Sequence, residues 1–471
     1  MDIGLLASDS VLNTPRNLLE VIETFDLEQE GAALYNMVRD LYPICRSITG
    51  NGLRQSLRYL QQTVPMVLRE VPTGTPVLDW TVPKEWNIRE AWIKSAQGEK
   101  VVDFAKCNLH VVNYSVPVRR RIRLAELKEH LFSLPETPDW IPYRTSYYHE
   151  TWGFCLAHRQ LAALKDEEYE VCIDGSLEPG HLTYGEFRID GELGDEVLLS
   201  CHCCHPSLCN DNLSGMTVAA RLAALLTGIR LRHSYRFLWI PGTIGSITWL
   251  ALNEASAQRV CNGLVLSCLG DRGAFTYKRT RRSNAEIDRA VVHALRHRDS
   301  NYSILDFVPY GYDERQYCSP GFNLPVGALM RTPNGRYAEY HTSADDLSLV
   351  DAESLGESLA MLLRIVYLLE SNRVCRNLFP KGEPQLGRRG LYRSIGGTKD
   401  SPQLEMAMLW VLNLSDGNHD LLQIAERAGL DFMVVHSAAE RLIAHGLLAS
   451  EGLQRCSPDL DKEIGGSAAS S

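Results

Sequence analysis

From about residue 168 to residue 371 the chain alternates short apolar runs with amphipathic segments. "YEVCID", "LTYGEFRI", "EVLLSCH", "YRFLWIP", "GLVLSCLG" and "LPVGALMR" read as strands. "SGMTVAARLAALLTGI", "GSITWLALNEAS", "NAEIDRAVVHALRH" and "ESLGESLAMLLRIVYLLES" fall between or after them and read as helices. A strand that is apolar on consecutive positions has no face to offer to water, so both faces must be covered. The alternation therefore predicts an α/β unit with a mixed, mainly parallel sheet between helices. Sheets of this kind bind ligands beyond the carboxyl ends of their strands.

The other segments read differently. Residues 30–64 carry apolar side chains at helical spacing, interrupted at Pro43 and at Gly50 and Gly52. Short, partly alternating runs then predict a β-rich insertion over 67–165, so the α/β unit is discontinuous, 28–66 and 166–380. The segment 381–400 is rich in Gly, Pro and charge and reads as a linker. Three short helical patterns over 401–460, separated by Asp416-Gly417 and Gly429, have the layout of a winged-helix unit, and 461–471 reads as a flexible tail.

A net charge of -10 argues against a general nucleic-acid binder or an anionic-membrane binder. The most apolar stretch, "FLWIPGTIGSITWLAL", is broken by Pro241, Gly242 and Gly245 and is too short to span a bilayer. No secretory signal is visible at the N-terminus. The 13 scattered cysteines fit reduced thiols better than a disulfide framework. These features together predict a cytoplasmic protein.

The densest chemistry lies in "LLSCHCCHPSLCNDNLSG", residues 198–215. Cys201 and Cys204 form a C-x-x-C pair, but a structural zinc knot needs a second pair, and the chain has none. The cysteines are therefore expected to fill space in the core. Asp211 precedes a helix, Asp271 follows the strand "GLVLSCLG", and His341 lies in "EYHTSADDL". Each of these alone is an ordinary cap or turn residue. Together they place imidazole and carboxylate ligands beyond several strands of one sheet, as a zinc site requires.

The order "H…DNxSG…strand-GD…HTSxD" resembles the zinc aminopeptidase superfamily, in which two metals share a bridging aspartate. More closely, the chain resembles a bacterial family of aminopeptidase-like proteins associated with polysaccharide or natural-product biosynthesis. Strings such as "LYPICRSITGNG", "IPYRTSYYHETWGFC", "YGYDERQYCSPGFNLP" and "GEPQLGRRGLY" carry this second likeness, which covers the insertion and the winged-helix tail. The resemblance implies a zinc-aminopeptidase-like fold and a metal-dependent hydrolase of an amide or peptide-like bond, of the EC 3.4 or 3.5 class. It implies His202 as a ligand of one metal, Asp211 as the bridge, Asp271 as a carboxylate ligand, and His341 as a ligand of the other metal.

One departure matters. The superfamily carries two adjacent glutamates after its central strand, one a base and one a ligand. Here the matching place holds Gly242 and Thr243. His205 is expected to compensate, either in a one-zinc set with Asp211 and His341 or as the replacement ligand in a two-zinc site. The base must then come from Glu314 or Glu339, the nearest carboxylates by family position, with Glu314 preferred. Arg315 suits a substrate carboxylate. Tyr147 and Tyr148, in the aromatic insert segment, are candidates to roof a pocket for a small or short-peptide substrate. Lys278, in a local basic cluster, could meet an anionic substrate group.

The third tail helix, in "DFMVVHSAAERLIAHG", is electrostatically poor for DNA, which favours a packing or homo-oligomerisation role. The rival reading is a non-catalytic metal-binding regulator or scaffold that uses the winged-helix tail.

Overall fold

The computed structural model describes residues 17–298, 301–391 and 402–450. Its centre is an eight-stranded sheet. In spatial order the strands are Val67–Pro72, His181–Ile189, Ser234–Ile240, Glu196–His202, Val260–Leu266, Val326–Met330, Phe275–Lys278 and Tyr302–Leu305. The four strands from Ser234–Ile240 to Val326–Met330 run parallel, as do the last two with each other. The remaining pairings are antiparallel. The sheet is mixed, and its parallel part is the one that carries the site.

Side-chain alternation along the central strands divides the core into two layers. Val197, Leu199, Cys201, Tyr235, Phe237 and Trp239 point to one face. Helices Leu27–Leu41, Gly215–Leu226, Glu286–Arg298 and Ala352–Ser371 cover that face. Leu198, Leu238, Ile240, Val265, Val326 and Ala328 point to the other, under helix Ile244–Leu252 and part of the insertion. Burying each of the Val, Leu, Ile and Phe side chains among them stabilises the fold by about 1.5–3 kcal/mol before entropy is counted.

Local chemistry sets the helix ends. Asp26 caps Leu27–Leu41 by accepting from Gln29 N at 3.0 Å, and Asp351 caps Ala352–Ser371 by accepting from Ser354 N at 2.9 Å. These two helices cross closely because Gly31 lies over the backbone of Ala352. A methyl group on Gly31 would meet the Ala352 carbonyl oxygen at 2.1 Å.

The insertion's sheet pairs Glu85–Lys94 with Glu168–Glu178, flanked by Lys100–Asp103 and Val118–Arg123. Strand Val67–Pro72 joins the main sheet instead. The β-rich unit therefore starts after residue 72 and reaches residue 178, both later than the sequence pattern indicates. A one-residue backbone link from Pro142 to Thr342 fastens it beside the strand ends.

Helices Pro402–Leu414, Leu421–Ala428 and Phe432–Ala444 form the C-terminal unit, with strands Asp416–Asp420 and Leu448–Ser450. The third strand of its sheet, Val374–Asn377, comes from before the expected linker. Within that linker Leu386 and Leu391 are buried, while 392–400 and the expected tail at 461–471 lie outside the described residues. Helix Phe432–Ala444 faces the α/β unit. Phe432 N donates to His293 Nε2 at 2.9 Å, and Tyr367 Oη meets His436 Nδ1 at 2.8 Å. Arg289 pairs with Asp420 at 3.0 Å and Glu426 at 3.1 Å, and Arg364 pairs with Asp431. No helix among the described residues is long and apolar enough to cross a membrane.

Candidate metal centre

Strand Glu196–His202 ends on His202, and the chain then turns through Cys203–Pro206. His205 adopts φ +70°, an uncommon conformation for a residue with a side chain, and its ring comes back toward the strand end. The following loop brings Asp211 beneath both rings. Asn212 ties this loop to the sheet: its Nδ2 donates to His202 O at 3.2 Å and Leu266 O at 3.0 Å. Gly215 permits the approach, since a methyl group there would meet Asn212 Oδ1 at 2.4 Å.

His341 arrives from the loop after strand Val326–Met330, with φ +55°. Its Nε2 lies 3.1 Å from Asp211 Oδ2, and His205 Nε2 lies 3.8 Å from the same oxygen. Asp211 Oδ1 is 2.8 Å from His202 Nε2. Among the described residues neither atom has another hydrogen-bond partner, although His202 and Asp211 are almost wholly buried. Three imidazoles therefore converge on one buried carboxylate.

Zinc–nitrogen and zinc–oxygen bonds of about 2.1 Å put ligand atoms of a tetrahedral site about 3.4 Å apart. The His205–Asp211 and Asp211–His341 spacings bracket that value. A buried carboxylate also calls for a compensating positive charge, which a metal ion or a protonated His202 at 2.8 Å supplies. The spacing and the donor types of His205, Asp211 and His341 suit zinc.

The electrostatics follow from this packing. Burial opposes a charge on His202, but Asp211 outweighs it and raises the imidazole to about 10. Burial likewise opposes ionisation of Asp211, and the His202 and His205 rings reverse the effect and hold its carboxyl well below the usual range. His341 is lowered, mainly by burial.

Asp345 fixes the loop. Its Oδ1 accepts from Asn210 N at 2.6 Å, and its Oδ2 accepts from Asp211 N at 3.1 Å and Tyr337 Oη at 3.2 Å. Burial raises its carboxyl to about 7. The sequence pattern marks Asp345 only as a possible helix cap. Its actual work is to aim the peptide that carries Asp211.

Asp271 stands apart from the three imidazoles. Its oxygens accept from Asn210 Nδ2, Gly273 N, Thr332 N and Thr332 Oγ1 at 2.6–3.2 Å. That carboxylate is committed to holding the turn after its strand.

The place of the missing glutamates is filled. A methyl group on Gly242 would meet the ring of Tyr312 at 2.0 Å. Tyr312 packs over His202 with ring centroids 4.2 Å apart, and its hydroxyl lies 3.5 Å from both Gly242 O and Cys204 Sγ. Asp313 is fully buried beside it. Asp313 Oδ1 accepts from Ser246 Oγ at 2.6 Å, while Oδ2 has no partner. Burial raises Asp313 to about 7, with the Ser246 hydrogen bond acting against the shift.

Glu314 is buried in an ion pair with Lys278 at 2.7 Å and also accepts from Tyr312 N. Glu314 and Lys278 thus act on each other and on the Tyr312 loop. Arg315, next in the chain, has a buried Nε without a partner. Glu339 lies beside Trp140 and Asp346 in a separate surface depression of about 410 Å³.

The insertion covers the site. Tyr143 packs on His205 and His341, with ring centroids 4.8 and 5.1 Å away, and its hydroxyl meets that of Tyr147 at 2.8 Å. Tyr148 is exposed at the rim and packs on Trp80. Tyr143 belongs to the aromatic insert segment that the sequence offers as a roof, whereas Tyr312 and Asp313 are legible only as parts of an aromatic loop, because the strand-end pattern says nothing about which loop residue turns inward. Among the cysteines, Cys201, Cys203 and Cys209 are buried as expected, but Cys204 lies in the site.

Comparison with known proteins agrees with this architecture. Residues 35–372 match the family model described as Domain of unknown function (DUF4910), and residues 373–450 match a winged helix-turn-helix model. A Clostridium acetobutylicum protein, whose name places it in polysaccharide biosynthesis with an aminopeptidase-like domain, is 50% identical over 420 residues, 89% of this chain and 96% of that protein. A crystal structure from the same organism, named as a peptidase, superposes with a TM-score of 0.88 at 47% identity, covering 92% of this chain and 100% of the other. The zinc aminopeptidase of Bacillus subtilis superposes with a TM-score of 0.53 at 13% identity, covering 73% of this chain and 96% of that one, which is a likeness of fold. The chain belongs to the DUF4910 family, with an aminopeptidase-like α/β fold and a C-terminal winged-helix domain.

Proposed function

We propose that the protein is a zinc-dependent hydrolase of an amide or peptide-like bond in a small substrate. The observation that carries this reading is the convergence of His202, His205 and His341 on the buried Asp211 carboxylate. His205, Asp211 and His341 would hold one zinc ion, and His202 faces the other oxygen of the same aspartate. A zinc ion there supplies Lewis-acid polarisation of the scissile carbonyl.

The proton-handling group is reassigned in this reading. Glu314 is occupied by Lys278, so Asp313 is the better candidate. A carboxyl near 7 exchanges protons readily at neutral pH, and this one has an unpartnered oxygen beside the Tyr312–His202 pair. Tyr143 and Tyr147 narrow the approach and exclude water from above the imidazoles. Arg315 and Lys278 remain candidates for a substrate carboxylate only if the Tyr312 loop moves.

The test is metal analysis of purified protein joined to an amide-hydrolysis screen. The screen includes aminoacyl amides, dipeptides and N-acylated sugars, the last because of the relative's polysaccharide setting. Zinc-dependent turnover that is lost in Asp211→Asn and His341→Ala supports the reading. Metal-loaded protein whose turnover ignores both substitutions overturns it. The closure of the glutamate space by Tyr312 favours the non-catalytic alternative, and the same screen decides between them.

A further inference from the structure

Cys204 does more than fill space. Its Sγ lies 3.3 Å from His205 Nδ1 and 3.9 Å from His202 Nδ1. These are the ring nitrogens on the far side from Asp211, because the Nε2 atoms of the same rings sit 3.8 and 2.8 Å from that carboxylate. An imidazole that binds a metal through one nitrogen normally gives its other N–H to an outer acceptor. That acceptor fixes the tautomer and the orientation of the ring. A carboxylate or a backbone carbonyl usually takes this role. Among the described residues, the partner recorded for both Nδ1 atoms is one sulfur.

The backbone makes this sharing possible. His202 and Cys204 are two residues apart, so an extended chain puts them on one face. The left-handed turn at His205 then swings the next ring back onto the same sulfur. Tyr312 Oη at 3.5 Å confines the sulfur from above. The opposite ends of the two rings converge on the Asp211 carboxylate, where the buried His202 Nε2 and Asp211 Oδ1 lie 2.8 Å apart with no other partner among the described residues.

We propose that Cys204 is a positioning residue, the single outer acceptor that orients both His202 and His205 toward a zinc ion held by Asp211. The inference rests on the metal site proposed above. It needs no particular protonation state of the sulfur, because thiol and thiolate both carry lone pairs that can accept an N–H. It also assigns the sulfur to the outer shell, so Cys204 is not itself a ligand. A shared acceptor has a consequence that separate acceptors would not: one substitution loosens two imidazoles together.

The test compares wild type, Cys204→Ala and Cys204→Asp, each stripped of metal and titrated with Zn(II) against a chromophoric chelator. Circular dichroism and melting of the metal-free forms check folding. Cys204→Ala is expected to bind Zn(II) about 10–100-fold more weakly. Cys204→Asp restores an acceptor and is expected to recover most of that loss. Co(II) substitution supplies a spectroscopic readout: the wild type should show no thiolate-to-cobalt charge-transfer band that disappears in Cys204→Ala. Such a band makes Cys204 a direct ligand and overturns the proposal. So does a Cys204→Ala affinity equal to wild type, or a Cys204→Asp variant no tighter than the alanine one. Failure of the wild type to bind either metal overturns the metal site itself, and is thereby distinct from failure of the Cys204 assignment.

Discussion

His341 Nε2 lies 3.1 Å from Asp211 Oδ2 although 130 positions separate the two residues. The contact closes the site, because it joins the loop after one strand to the loop after another. In the proposed zinc site, Asp211→Asn removes the charge that would balance the cation, and His341→Ala removes a donor. Each is expected to lower zinc affinity by more than about tenfold, the loss that even an outer-shell change can produce. Zinc retained at wild-type stoichiometry after dialysis against a chelator would count against both roles.

Gly242 and Tyr312 form a complementary pair. The Tyr312 ring occupies the space into which any side chain at position 242 would project. Gly242→Ala is therefore expected to destabilise the protein by about 1–3 kcal/mol. In Gly242→Ala/Tyr312→Ala the penalty should fall well below the sum of the single changes. Denaturant melts of the four proteins check this. Additive losses would show that the two residues do not share the space. By the same reasoning, Gly242→Glu alone will not rebuild the superfamily's glutamate.

Asp313 makes a prediction about pH. Its carboxyl is raised to about 7 by burial, and Ser246 works against that shift. If Asp313 is the base of the proposed hydrolysis, it is active when deprotonated, and the rate should rise with pH through about 7 and level off above it. Ser246→Ala removes the hydrogen bond that favours the carboxylate, so the rising limb should move to higher pH. Asp313→Asn should abolish the limb. A limb unchanged in both variants assigns it to another group.

The interface with the winged-helix domain is expected to weaken in acid. Burial and the neighbouring His297 lower His293 from 6.5 to about 3, and its Nε2 must be unprotonated to accept from Phe432 N. Burial also lowers His436 to about 4. With both folded values depressed, the unfolded chain binds more protons between them and 6.5. Stability is then fully present above pH 6.5 and is lost as pH falls toward 4. Melting curves from pH 7.5 to 4.5 should show this decline, and His293→Gln should flatten it. An identical slope in the variant would place the acid sensitivity elsewhere.

Asp345→Ala is expected to weaken metal binding without touching a ligand. The change strands the N–H groups of Asn210 and Asp211 and the Tyr337 hydroxyl, each of which loses a buried acceptor. The loop that carries Asp211 should loosen, with lower zinc affinity as the readout. Asp345→Asn keeps one acceptor oxygen and should fall between alanine and wild type.

Much was legible from the chain alone. Continuous apolar strands alternating with amphipathic helices leave few arrangements other than a covered α/β sheet. The strand-end rule then points to His202, to the loop carrying Asp211, and to the "EYHTSADDL" loop. The three helical patterns before the C-terminus likewise require only local periodicity. Local pattern could not mark the insertion's edges, because Val67–Pro72 and Glu168–Glu178 are both good strands. Which sheet each joins is a matter of pairing across the fold.

The tertiary structure decided how the individual carboxylates and thiols are used. Asp271 follows a strand, while Asp313 and Glu314 open the short helix Glu314–Tyr317, and these positions alone do not say which carboxylate is free for chemistry. Their partners do: Asp271 is spent on its own turn and Glu314 on Lys278, while Asp313 keeps an unpartnered oxygen. The cysteines divide in the same way. Cys201 points into the helix-covered core, whereas Cys204 lies between two imidazoles. Strand alternation fixes the direction of Cys201 and puts Cys204 on the His202 face, but only the left-handed turn at His205 brings the second imidazole to the sulfur. Periodicity reports which face a residue shares. The free energy of a buried polar group depends on the atoms within hydrogen-bond reach, and those come from distant parts of the chain.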